Sequence, residues 1–246
     1  PTIRDKVKSA VAITKGNQQI LAEGHYYPPT YQGETTQTKN KEEKIKRNYL
    51  DYAVTVKDFP IKFLEYFLKP SIEDTEGLLN VDGRLYGTPT ELLASGIGKA
   101  RDVATTIVFL NTRFTAPTGT IVLSEKLWDA SETIVYDQAG NAARVVGGIT
   151  HKHLRDLGLD VRIVTLDDQF VALNTKEGDN DYIYGKGVGT GYAHFPSSFR
   201  QPEVYISATS AKGTKVVITV SDSQDAEEVS FIKFRTAEKK REEREK

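Results

Sequence analysis

The chain of 246 residues contains no cysteine and no methionine. Without a thiol, disulfides, thiolate nucleophiles, Cys-ligated zinc and iron–sulfur clusters are all excluded. Only four histidines and one tryptophan are present. Long apolar runs are missing too: the longest, such as 107–110 and 216–218, fall far short of the roughly 20 residues a spanning helix needs. No basic start followed by an apolar run marks a secretory leader. Pro1 is what removal of an initiator Met would leave. The expectation is a protein made without secretion, cytoplasmic or carried in a virion, with no membrane partner. Neither charge dominates, with 33 basic against 34 acidic residues, which argues against bulk capture of nucleic acid and leaves only a local patch. Loss of both sulfur residues with balanced charge fits a thermophilic protein; plentiful Asn and Gln point the other way.

What remains is ordinary globular material. Hydrophobic residues make up 38% and charged residues 27%, and the length suits one or two domains. Residues 3–14 read as a short amphipathic helix with Val7, Ala10 and Val11 on one face. A Tyr- and Pro-rich break follows at 26–31, then a polar, basic excursion at 32–48. Tyr52, Val54 and Val56 alternate as in a half-buried strand. Asp58 and Pro60 then open a compact helix carrying Phe63, Leu64, Phe67 and Leu68, which Pro70 ends. Thr88, Pro89, Thr90 and Glu91 match a capping box, which predicts a second helix through Leu92, Leu93, Ile97, Ala100, Val103 and Ala104.

Beyond residue 117 the texture changes. Short apolar runs recur at 121–123, 133–136, 143–146, 161–166, 170–173, 204–208, 216–220 and 229–234, with turn residues between them. This pattern predicts an α+β fold, with helices mainly in the N-terminal half and a β-rich antiparallel sandwich or barrel in the C-terminal half. The expected organisation is an N-terminal helix and exposed basic arm over 1–50, a main body over 51–236 and a charged tail over 237–246.

Candidate chemistry is sparse. His151 and His153 flank Lys152, an arrangement that in extended chain puts both rings on one face, where a third ligand such as His194 would complete a metal site. Leu154 to Leu157 instead resemble a turn of helix. Asp179 and Asp181 lie in an oxygen-rich loop of the kind that binds calcium, though the EF-hand pattern is absent and such residues also make plain turns. Gly185, Gly187, Gly189 and Gly191 alternate around Lys186 without matching a dinucleotide fingerprint or a Walker loop; such a strand has one bare face open to close packing or to a phosphate. Asp167 and Asp168 are adjacent, so in a strand they point to opposite faces. Lys39, Lys41, Lys44, Lys46 and Arg47, beside Tyr49 and Tyr52, have the ingredients of a single-strand nucleic-acid contact.

No motif for nucleophilic catalysis occurs and no cofactor is implied. The leading expectation is a non-enzymatic structural subunit that self-assembles, as a homo-oligomer, into a coat, shell or filament. The alternatives are a nucleic-acid-binding module built on the basic arm and glycine segment, and an enzyme whose site draws on His151, His153 and Asp179.

Overall fold

A computed structural model describes residues 5–31, 47–69, 71–179, 183–198 and 205–218. Lys39, Lys41, Lys44, Lys46, Asp181, the expected strand at 229–234 and the charged tail lie outside the described residues. The chain forms β1 (Val7–Lys15), β2 (Gln18–Tyr27), β3 (Tyr49–Pro60), β4 (Ile72–Thr88), β5 (Glu91–Ile107) and β6 (Thr112–Leu123). Then come β7 (Leu127–Asp129), β8 (Ile134–Tyr136), β9 (Ala142–Lys152), β10 (Arg155–Thr165), β11 (Phe170–Thr175), β12 (Ile183–Ser198), β13 (Tyr205–Ser210) and β14 (Lys215–Ile218). All fourteen belong to one antiparallel sheet. Among the described residues the only α-helix is α1 (Leu64–Leu68), which a 3-10 turn at Ile61–Phe63 leads into, and a second 3-10 turn at Val108–Leu110 joins β5 to β6.

This corrects the expected α+β layout: one sheet spans nearly the whole chain, and no sandwich or barrel is set apart in the C-terminal half. Over its described residues the helix expected at 3–14 is replaced by strand β1, from Val7 onward. Val7, Ser9, Val11 and Ile13 alternate there, and Gly16–Asn17 joins Lys15 to its partner Gln18. Gly16, at φ +60°, supplies the positive φ that a two-residue hairpin needs at its first central position. The second expected helix is strand β5. Thr88 Oγ1 does accept from the Glu91 amide at 3.1 Å, as a capping box requires, but the segment is the turn between β4 and β5, where Thr88 pairs with Glu91. One local hydrogen bond serves either a cap or a turn, and the paired register of two 17-residue strands decides between them.

The helix expected after residue 58 is present but starts later. Asp58 is not its cap; it lies at φ +52°, at a register shift between Val56 and Phe59. Of the nine non-glycine residues with positive φ among those described, six are Asn or Asp: Asn48, Asp58, Asp74, Asp102, Asn111 and Asp156. Their short polar side chains tolerate this region best. These carboxylates and amides are therefore bend-makers in a long, twisted sheet.

Three strand positions are each occupied by two short strands in line. β7 and β8 both lie between β6 and β9. β10 and β11 share β12 as a neighbour, as do β13 and β14. Among the described residues the sheet is thus an eleven-position meander in which each position neighbours the next in sequence. Each interruption is stitched by a hydroxyl. Ser131 Oγ accepts from the Gly147 amide at 2.8 Å, and Thr165 Oγ1 accepts from the Gly191 amide at 2.8 Å. Thr214 Oγ1 accepts from the Val188 amide at 3.1 Å and donates to the Val188 carbonyl at 2.7 Å. These side chains replace missing ladder bonds to buried backbone. Thr214→Val, which removes the hydroxyl at nearly constant shape, should cost about 1 to 2 kcal/mol in urea unfolding; an unchanged midpoint would mean that the stitch contributes nothing.

The core is small and off-centre. Ala116, Ala143, Val145, Phe170, Leu173 and Val188 are buried where the sheet curls and β11 comes against β6. Phe114 and Phe170 stack there at 5.7 Å, and Asn111 Nδ2 donates to Asp179 Oδ2 at 3.2 Å. A second cluster lies under the helix: Ile61 and Ile72 are buried, with Glu65 and Thr75 beside them. Glu65 Oε1 accepts from the Thr75 amide at 2.6 Å. That bond holds the Glu65 carboxyl below the ordinary carboxylate range, against desolvation.

Candidate interaction surface

Residues directly opposite each other in antiparallel strands point to the same face, so the register maps each face of the sheet. One row runs Ile13, Ile20, Val56, Val81, Gly98 and Ile121. The next runs Val11, Ala22, Val54, Gly83, Gly96 and Leu123, and continues through Trp128 and Ile149 to Leu159. A third contains Ser9, Gly24, Tyr52, Leu85 and Ala94. Here the Tyr52 hydroxyl reaches across the bare Gly24 to Ser9 Oγ at 2.5 Å. This face is apolar.

The opposite face is mixed over the same strands: the row Ala12, Leu21, Thr55, Asp82, Ile97 and Val122 leaves Ile97 and Val122 each 51% exposed, while the neighbouring rows carry charge. These are the row Ala10, Glu23, Ala53, Arg84 and Ser95 and the row Lys8, His25, Asp51, Tyr86 and Leu93. Arg84 forks onto Asp51 with two bonds of 2.6 Å and lies 5.2 Å from the Tyr86 ring centre. Tyr86 donates to Glu125 at 2.8 Å. Such ion pairs suit water, and these rows need no cover.

The apolar face is different, because nothing among the described residues packs over most of it. Its central residues Ile20, Val54, Val56, Val81, Leu85 and Ile121 are only half-buried. At its margin Val11 and Ile13 are 53% and 58% exposed. The largest side chain enclosed completely is Thr112; no leucine, isoleucine or phenylalanine among the described residues is. Six strands about 4.8 Å apart and seven residues of about 3.4 Å give this face an area of roughly 600 Å². That equals the largest apolar patch of an ordinary monomer, about 300–600 Å². A further apolar tip stands at one end of the sheet, where Tyr66 and Phe67 of α1 are 85% and 46% exposed and Val108 and Phe109 of the β5–β6 turn are exposed nearby.

No protein-family model, curated protein or solved structure matches the chain. The surface must therefore be read from its own chemistry. No helix among the described residues is long and apolar enough to cross a membrane, which says nothing of strands.

The residues singled out in the sequence are dispersed. His151 is buried on the apolar face, its ring 5.1 Å from that of Trp128. Its Nδ1 accepts from the Leu154 amide at 3.4 Å, so Nε2 carries the proton it donates to the Ser124 carbonyl at 3.1 Å. Both nitrogens are occupied. His153 does not share its face: His153 and Leu154, at φ +53° and +60°, form the two-residue turn between β9 and β10, in place of the expected turn of helix. His194 lies on the polar face, opposite Arg162, with Nε2 2.9 Å from Asp160 Oδ1. Asp179 Oδ2 accepts from the Lys176 amide at 2.8 Å, closing its own turn. No group of three or more potential metal ligands occurs among the described residues.

Arg47 is exposed at the start of β3's approach. Lys186 is exposed on β12 between Asn174 and Lys215. The alternate glycines around it turn their bare positions toward neighbouring strands. A Cβ at Gly185, at φ +120°, would strike the carbonyl oxygen of Lys215, and the buried Phe170 and Leu173 pair with Gly189 and Gly187. Asp167 Oδ2 accepts from the Ala142 amide at 2.5 Å, while Asp168 is exposed.

The apolar face itself escaped the sequence reading for the N-terminal half. Its signal was available in the odd-numbered alternation of β1 and the Gly16–Asn17 turn, and small residues at Ala10 and Ala12 masked it.

Proposed function

We propose that this protein is a non-enzymatic structural subunit that self-assembles into a larger particle, a coat, shell or filament. One observation carries the reading: among the described residues the sheet of β1 to β6, ion-paired on one face and more apolar on the other, has roughly 600 Å² of apolar face without a second layer. Folded domains bury such a face against another layer. A second copy offers an identical face, and its area approaches the roughly 800 Å² per partner of a standard stable interface. Whether closed or open particles result depends on the symmetry of the contacts.

Light scattering over a range of protein concentrations and salt, with absorbance recorded at 260 and 280 nm, tests this. The wild type should form particles of several subunits. Val54→Lys with Val81→Lys places two charges in the centre of the apolar face, where desolvation of an unpaired ammonium opposes association. At least tenfold weaker assembly is expected, with the β-sheet circular-dichroism signal kept. A wild type that stays monomeric at every concentration would overturn the proposal.

A further inference from the structure

The same assembly reading leads to the edges of the sheet. Successive positions of the meander run in opposite directions, and eleven is an odd number, so the two outer positions among the described residues, β1 and β13–β14, run the same way. Copies joined head to tail with their apolar faces on one side would therefore set β1 parallel to β13–β14, the weaker arrangement. A two-fold axis perpendicular to the sheet instead sets β1 antiparallel to β1 of a second copy and keeps both apolar faces on one side.

The two edges also differ in readiness. Natural edge strands are blunted by prolines, bulges or central charges. β1 has none of these. It pairs with β2 in nine unbroken steps, its lysines Lys8 and Lys15 stand near its ends, and the six residues between Ser9 and Thr14 are uncharged. Among the described residues no strand but β2 pairs with it. The opposite edge is broken between Ser210 and Lys215 and carries Lys212 and Lys215.

We infer that β1 is a self-pairing edge that joins two copies of this chain antiparallel, with Val11 on the two-fold axis. Symmetry requires a residue opposite its own copy, because hydrogen-bonded and non-bonded pairs alternate along an antiparallel ladder. Val11 is the midpoint of β1 and so engages all nine residues. This register puts Lys8 opposite Thr14 and Lys15 opposite Val7, and no two lysines meet. It also brings a neighbour beside Val11 and Ile13, each more than half exposed on the apolar face.

The chain has no cysteine, so single-cysteine variants report the register cleanly. In Val11→Cys the two thiols would be carried by Cβ atoms about 5 Å apart, within reach of a disulfide or a short bis-maleimide. In Lys15→Cys they would be roughly 27 Å apart, eight residues along the strand. Val11→Cys should give at least ten times more covalent dimer than Lys15→Cys. Equal yields from particles of wild-type mass would overturn the edge pairing and leave the assembly reading intact. A wild type that remains monomeric would remove both.

Discussion

Asp137→Ala should lower stability at neutral pH by about 3 to 4 kcal/mol, among the larger losses available to a single substitution. Asp137 is 4% exposed and ends β8, yet its carboxylate organises three segments. Oδ1 accepts from the amides of Ala139 at 2.8 Å and Asn141 at 2.9 Å. Oδ2 accepts from Asn141 Nδ2 at 2.9 Å and from the Val171 amide at 2.7 Å. Asn141 passes the link on by donating to the Gln169 carbonyl at 2.9 Å. Removing the carboxylate leaves these donors short of a charged acceptor, at about 1 to 3 kcal/mol for each one shut off from water. It also loosens the interruption between β10 and β11, beside the buried Phe170.

The pH dependence separates charge from packing. Burial acts to raise the Asp137 carboxyl, but the hydrogen bonds from Asn141, Val171 and Ala139 outweigh it, and the net displacement is downward. A carboxylate lowered by folding contributes stability above its unfolded value, near 3.9, and loses that contribution as pH falls through the folded value. The gap between wild type and Asp137→Ala should therefore be full at pH 7 and shrink in acid below about pH 4. Glu65, lowered by the Thr75 amide, adds to the acid sensitivity of the wild type with the same sign. Urea titrations of both proteins at several pH values measure this. A gap that does not change with pH would mean that shape, and not charge, is what Asp137 supplies.

Gly147→Ala should be comparably damaging, at about 3 kcal/mol or more. Gly147 has φ +88° in the middle of β9, and a Cβ there would fall on the carbonyl oxygen of Asp160 in β10. The residue also receives the Ala130 amide on its carbonyl at 3.0 Å and gives its own amide to Ser131. A methyl group must therefore both strain the backbone and push β10 out of register. Gly140→Ala is the control, because Gly140 has φ +86° and open space around it. It should show only the conformational cost, about 1 kcal/mol. Equal losses at the two positions would show that close strand approach is unimportant at Gly147.

Much of the C-terminal half was readable in sequence because its signals are local. Runs such as 143–146, 161–166 and 170–173 fall in β9, β10 and β11, and 137–141 is a turn. In the N-terminal half the strand through Tyr52, Val54 and Val56 lies in β3 as expected, but the two segments expected as helices at 3–14 and from Thr88 to Ala104 were misread because their local signals are degenerate. Thr88 to Glu91 makes the same hydrogen bond in a hairpin as at a helix start, and alanines in β1 blur a period of two into a period of four.

The amino-acid sequence alone determined the absence of thiol chemistry, the balanced charge, the short apolar runs and the positions of most turns, since each depends on residue type or near neighbours. Tertiary structure alone decided that β1 to β14 form one sheet, that Asp137 reaches Val171 and that the two faces differ. Each of these depends on which strand lies beside which, and that register is set by pairings between residues distant in the chain.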